Sequence, residues 1–449
     1  MKHITYRAAL AAAAVLATAG AAYAVPSVSN VVMTQRANSR IVDITYDLTG
    51  EAAIVTLGIE TNGIALPDSA VTRLTGDVCK VVNTGATRSI VWNAGADWPE
   101  HLTQAAKAKV TAYATNTPPL YMVVDVSGGA SASSYPVTYH VSAAALPYGG
   151  LTNDLYRTTR IVMRCVRTAV AGSQTENGVF MMGSPANEYG RTAGSETYHQ
   201  VTLTKDFYVG VFGVTQGQWQ QVMGDVRSLP GYWNNEAARM TRPVERVSYY
   251  DIRENWTSGN DSSGGSAITP NWPATDAVGT VSFMGRLRTK TGLLTFDLPT
   301  DAQREYACRA GTTTALNCGA VLTNMTSDAS LNLLGRYAYN GGKINGTVEA
   351  AQGCDASNAT AKVGSYPPNA WGLYDMHGNI WEWCLDWYVA DLTGASATDP
   401  KGTASGSDRV IRGGNWGDPA SNCRSAFSYR FTPTGRYSYC SFRLVRTLP

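Results

Sequence analysis

Histidine is scarce in this chain: five occur in 449 positions, and none stands in a His-x-x-x-His or His-Glu-x-x-His spacing. Zinc and non-haem iron sites built on imidazoles need such clustering, so both lose their usual sequence signature. Eight cysteines are present without a Cys-x-x-Cys or paired-finger spacing, which disfavours a tetrahedral zinc site as well. Runs of one charge sign are absent and the formal net charge is +2. That leaves no basic stripe for nucleic acid. No Gly-x-Ser-x-Gly elbow occurs, and Gly341-Gly342-Lys343 lacks the strand-then-helix frame of a phosphate cradle. Beyond residue 24 no apolar run approaches the ~20 residues that a spanning helix needs, so no membrane span is expected in the mature protein.

What is present begins with an export signal. Lys2 and Arg7 precede an apolar run from Ala8 to Ala22, and Ala22-Tyr23-Ala24 has the small-x-small form of a cleavage site. Residues 1–24 therefore read as a signal peptide, and the expected location is secreted, periplasmic or on the cell envelope. Such compartments permit disulfides. Cys308 with Cys318 and Cys423 with Cys440 are plausible local pairs, although spacing does not fix the connectivity of eight cysteines.

Over residues 25–146 short apolar and polar residues alternate, as in Ile41-Val42-Asp43-Ile44-Thr45-Tyr46, between turn signals such as Thr61-Asn62-Gly63. Period two with regular punctuation predicts an all-β sandwich with a supporting or adhesive role. His101 and His140 stand alone there as surface or packed residues. A mixed connector follows over 147–178, and a second domain over 179–449 has longer loops and many Trp and Tyr. Thr215 before Gln218 and Thr300 before Gln303 have capping-box spacing and predict two short helices. Asp301 and Glu305, at i and i+4 on the second helix, are read as structural, because an anion near the N-terminus suits the helix dipole. Residues 255–276, rich in Gly, Ser, Asn and Pro, read as a surface loop.

The segment from Asn369 to Tyr388, NAWGLYDMHGNIWEWCLDWY, is too rich in Trp, Gly and acids for a typical helix or strand and favours a rigid, loop-rich core. With Arg409-Val410-Ile411-Arg412-Gly413-Gly414-Asn415-Trp416 it resembles the signature of the formylglycine-generating, or sulfatase-modifying-factor, family. Further landmarks occur in the family's order: Phe180 to Ser184, Glu188, Glu196, His199 to Leu203 and Phe207 to Val209. The resemblance implies an α+β domain of C-type-lectin-like fold behind the all-β sandwich.

It also implies a chemistry against which this chain can be compared. Active members of the family oxidise a substrate cysteine to an aldehyde with dioxygen and copper(I) held by two thiolates, soft ligands for a soft ion. Counting from Gly413-Gly414 puts Asp418 at the first thiolate position and Cys423 at the second, and Cys423 also begins a Cys-Arg-Ser-Ala element that the family uses structurally. Copper is expected only if the chain is catalytic, with Cys423 as the surviving ligand. The resemblance further implies a structural calcium at Asn379, Ile380 and Glu382, whose oxygens are hard donors.

Between Gly417 and Ser441 the chain contains no Lys, Glu, Gln, Met or Trp, and every residue there is one that a pyrimidine-ending codon can encode. This resembles the variable region of proteins diversified by a retroelement on the same lectin-like fold. Tyr429, Phe431, Tyr437 and Tyr439 among Ser, Thr and Gly have the composition of adaptable binding loops. The expected function is binding of a peptide, glycan or surface ligand by Asp418, Tyr429, Phe431, Arg436, Tyr437 and Tyr439. A formylglycine-generating oxidase and a structural envelope protein are the alternatives.

Overall fold

The structure is a computed structural model that describes residues 25–449 apart from 102, 104, 171–172, 227–238, 259–262, 341–342, 345–346, 349–359 and 391–393. The expected signal peptide lies outside the described residues, as does Cys354.

Alternation sets the first part of the chain. Strands β1 (Ser27–Gln35), β2 (Ile41–Thr49), β3 (Ala53–Thr61), β4 (Ile64–Ala65), β5 (Leu74–Gly76), β6 (Val81–Val82), β7 (Gly85–Asn93) and β8 (Ala106–Ala114) build two antiparallel sheets. Their orders are β1-β2-β7-β5 and β4-β3-β6, with β8 added on β3. On β2 the residues Val42, Ile44, Tyr46 and Leu48 point inward and their neighbours outward, as period two requires. They pack with Val55, Leu57 and Ile59 of β3 and with Ile90 and Trp92 of β7 in one apolar core shared by the two sheets.

A six-stranded antiparallel sheet follows, and it draws on both sides of the boundary expected from the sequence. Strands β9 (Tyr121–Asp125) and β10 (Val137–His140) come from the stretch read as sandwich, and β11 (Arg160–Val166) from the stretch read as connector. After β12 (Val179–Met182) and β13 (His199–Thr202), which pair with each other, the sheet continues with β14 (Phe207–Gly210). It is completed by two strands from the C-terminal half, β15 (Phe296–Asp297) and β20 (Val445–Thr447), in the order β10-β9-β11-β14-β20-β15. Its residues Met122, Val124, Ile161 and Met163 meet Trp219, Phe283 and Phe442 in the main core.

Helix α1 (Gln216–Met223) starts on the predicted capping box, with Thr215 Oγ1 accepting from the Gln218 amide and Gln218 answering the Thr215 amide, and stops at left-handed Gly224. Helix α2 (Tyr249–Arg253) has a capping box of its own, Ser248 with Asp251, and α3 (Phe283–Thr291) is capped by Ser282. Helix α4 (Asp301–Arg309) uses the predicted Thr300–Gln303 box. One expectation needs correcting: Trp381–Trp387 is a strand, β16, and every residue of it is buried. A strand covered on both faces shows no alternation, which hid it in the sequence. Strands β17 (Arg409–Arg412), β18 (Ser428–Phe431) and β19 (Cys440–Ser441) join it in the order β18-β17-β16-β19.

The suggested disulfides are not made. Cys308, Cys318, Cys423 and Cys440 are all free thiols, and Cys308 lies beside the His377 ring and the Ser425 hydroxyl instead.

Candidate functional site

The sheet β18-β17-β16-β19 has two chemically opposite faces. Register places Glu382, Arg412 and Ser428 in one cross-strand row and Trp383, Ile411 and Tyr429 in the next, so the two rows face opposite ways. Helix α4 covers the charged face. Glu382 accepts from Arg304 Nε at 2.6 Å and from Arg443 Nη2 at 2.9 Å, and Arg412 reaches Asp301 at 2.5 Å and Glu305 at 2.9 Å. The two arginines hold the Glu382 carboxyl below its ordinary range although burial pushes it up. Asp301 and Glu305 serve this network, the structural role read for them in the sequence.

The other face is aromatic. Tyr429 and Phe431 sit two apart on β18, and after a turn closed by the Gly435 amide on the Thr432 carbonyl the chain returns with Tyr437 and Tyr439. Phe431 lies 4.3 Å from Tyr437 and 5.5 Å from Tyr439, ring centre to ring centre, and the two tyrosines stack at 5.4 Å. Trp381 and Trp383 support them at 6.4 Å from Tyr429 and 6.1 Å from Phe431. The tryptophans are buried, Phe431, Tyr437 and Tyr439 are half-buried, and Tyr429 is 49% exposed. Four of the residues singled out in the sequence thus form one partly exposed cluster. The two tryptophans beneath it were not singled out, although their i, i+2 spacing in Trp-Glu-Trp was the available signal.

Arg436 is placed differently from the expectation. Its guanidinium is buried in a two-point pair with Asp251, both contacts at 2.7 Å, and it also donates to Thr257. It pins the 432–437 turn to helix α2 and presents no cation to a ligand. Asp418 is also engaged: it accepts from the Asn415 amide and side chain and from Asn422, and burial pushes its carboxyl up.

Neither expected metal fits these residues. Cys423 is fully buried among Ala315, Leu316, Leu331 and Tyr337, and burial, aided by the Asp418 charge, pushes its thiol well above the usual range. A thiol held neutral is a poor copper(I) ligand, and Asp418 is a hard donor whose oxygens are already used. A Cβ on Gly414 would come within 2.6 Å of Cys423 Sγ, so the glycine leaves room only for the sulfur. At the expected calcium site, Asn379 uses both atoms of its amide on the Ala361 backbone and Glu382 lies between two guanidiniums. With those partners around it, Ile380 has no hard side-chain donor left beside it. Among the described residues no three His, Cys, Asp or Glu side chains gather as a ligand set.

Two further buried groups were not visible in the sequence. Arg424 binds Glu196 and Glu188 at 2.6 and 2.7 Å, which gives those two glutamates a structural role. His377 donates through Nδ1 to the Cys423 carbonyl and accepts the Asn317 amide at Nε2. Burial pushes the nearby Cys308 thiol up, but the His377 ring, the Arg304 guanidinium and the Ser425 hydroxyl beside it outweigh that and bring it down to about 6.

Residues 160–448 match the model of the sulfatase-modifying factor enzyme 1-like domain. Formylglycine-generating enzyme of Mus musculus is 33% identical over 140 residues, 31% of this chain and 34% of that protein. Chaperone protein LppX of Paenibacillus barcinonensis is 30% identical over 260 residues, 55% of this chain and 82% of that protein. Among solved structures, Treponema denticola variable protein 1 shares 25% identity, covering 65% of this chain and 96% of its own, with a TM-score of 0.44. The chain spans only 15%, 34% and 33% of the length of the first three curated relatives it matches. Because the matched model covers well over half of the sequence, the chain belongs to the sulfatase-modifying factor enzyme 1-like domain family.

Proposed function

We propose that this chain is an exported, non-catalytic member of its family that binds a peptide or glycan ligand on the aromatic surface of the β18 sheet. The observation that carries the reading is the convergence of Tyr429, Phe431, Tyr437 and Tyr439 into one partly exposed cluster. Stacked tyrosines offer large contact area at low entropic cost and hydroxyls at the rim. The positions matching the family's thiolates hold an engaged aspartate and a sealed, neutral thiol, so binding can persist where oxidation has lost its ligands.

The test has two arms. Peptide and glycan arrays probed with the protein should give ligands lost in Tyr429→Ala and Tyr437→Ala, with the fold intact by circular dichroism. Oxygen uptake with copper(I) and a cysteine-containing sulfatase-motif peptide should yield no aldehyde by mass spectrometry. Aldehyde formation abolished by Cys423→Ala would overturn the reading in favour of an oxidase, and a blank array would leave an envelope component.

A further inference from the structure

A cleft of about 80 Å³ opens between the N-terminal end of α4, the end of β16 and the start of β13, lined by none of the aromatic-surface residues. That is room for a head group of a few atoms. Ser195, His199, Asp386 and Ser428 line it, and each is at least nine-tenths buried. The Asp301 amide takes Asp386 Oδ2, and the Thr197 carbonyl takes the His199 Nδ1 proton, which leaves Nε2 of the neutral ring as an acceptor. Among the described residues Asp386 Oδ1, His199 Nε2 and both serine hydroxyls have no hydrogen-bond partner, and the buried Trp387 Nε1 beside them has none either. Buried polar groups are ordinarily paired, so several unpaired ones around one small opening point to a bound polar partner. A Cβ on Gly402 would stand 3.2 Å from Asp386 Oδ1, so the glycine keeps the way to that oxygen clear.

The sign of the partner follows from the charges. The lining holds two carboxyls, Asp301 and Asp386, and no Lys or Arg. Behind it, Arg412 is shared by Asp301 and Glu305, and Arg409 lies 3.3 Å from the centre of the Trp387 ring and donates to the Leu385 and Trp272 carbonyls. Neither guanidinium pairs with Asp386. Burial and the Asp301 charge outweigh both and push the Asp386 carboxyl up to about 7, so an added positive charge there would be welcome. Among the described residues no three carboxylates, imidazoles or thiols gather closely enough for a metal. An ammonium makes longer contacts and can use the serine hydroxyls as well.

We propose that this cleft binds the head of a small primary amine, its ammonium donating to Asp386 Oδ1, His199 Nε2 and the hydroxyls of Ser195 and Ser428. The cleft shares no residue with the aromatic surface, so either site can fail without the other. Calorimetric titration of the full chain at pH 8 with ethylammonium, ethanol and tetramethylammonium tests it. Ethylammonium should bind saturably at one site, at least about tenfold tighter than ethanol, which lacks the charge, and tetramethylammonium, which lacks a donor. Asp386→Asn keeps the acceptor for the Asp301 amide and should weaken ethylammonium about tenfold. The double variant Ser195→Ala/Ser428→Ala should weaken it with Asp386 in place, and circular dichroism checks that both variants fold. Absence of saturable ethylammonium binding, equal binding of either comparison compound, or unchanged affinity in a folded variant would each overturn the proposal.

Discussion

At the residue scale the molecule is held by charges that its composition conceals, and one of them is out of register with neutral pH. Asp386 is buried beside Asp301, and burial together with that neighbouring charge pushes its carboxyl up to about 7. Its Oδ2 accepts the Asp301 amide at 2.7 Å. A carboxyl raised in the folded state stabilises the protein when protonated, fully below the unfolded value near 4, and that contribution is lost as pH rises through about 7. Asp386→Asn keeps the acceptor and removes the titration. The variant should therefore gain stability over the parent at pH 8, by an amount on the order of a few kcal/mol, and the gain should shrink toward pH 5. Urea midpoints across that range check it. A constant offset between the two proteins would show that Asp386 does not titrate there. The sequence displayed this aspartate within a Trp-rich segment but not its carboxylate neighbour, which is 85 positions away.

Element by element, local signals were legible and long-range ones were not. The capping boxes at Thr215 and Thr300 formed where their spacing placed them, because a cap depends on residues three apart. Glu188 and Glu196 were visible as landmarks without their purpose, since Arg424 comes from the far end of the chain. The strand at Trp381–Trp387 was missed because both of its faces are covered. That strand joins the two halves of the candidate site: its tryptophans underlie the aromatic face, and its Glu382 is clamped by Arg304 and Arg443 on the charged one. Glu382→Gln leaves two buried guanidiniums short of a counter-charge and should cost roughly 3–5 kcal/mol. Removing an exposed partner, as in Arg36→Ala opposite Asp43, should leave the urea midpoint where it was. Similar midpoints for both variants would mean that the clamp is no more than a surface contact.

For the whole molecule, the family resemblance implied an α+β domain and alternation a β-rich stretch before it, and the six-stranded sheet takes strands from both stretches. Texture follows loop length and aromatic content; sheets follow hydrogen-bond pairing, which a single sequence does not display. Strand β9 pairs with β11 from Arg160↔Asp125 to Arg164↔Tyr121, and β10 continues from β9. The family match begins at residue 160, yet a chain cut there would lose both of these strands and leave Ile161, Val162 and Met163 on an open edge, a template for aggregation. The cluster between the two sheets of β1 to β8, by contrast, is drawn from residues 28–112, and only Ile54 and Tyr113 of these strands reach the main core. A fragment starting at residue 117 should therefore stay soluble and unfold cooperatively, while one starting at 160 should aggregate or bind hydrophobic dyes as a loosely packed state does. Equal solubility and cooperativity of the two would show that β9 and β10 are an appendage to the family domain; failure of only the shorter one would make them part of it.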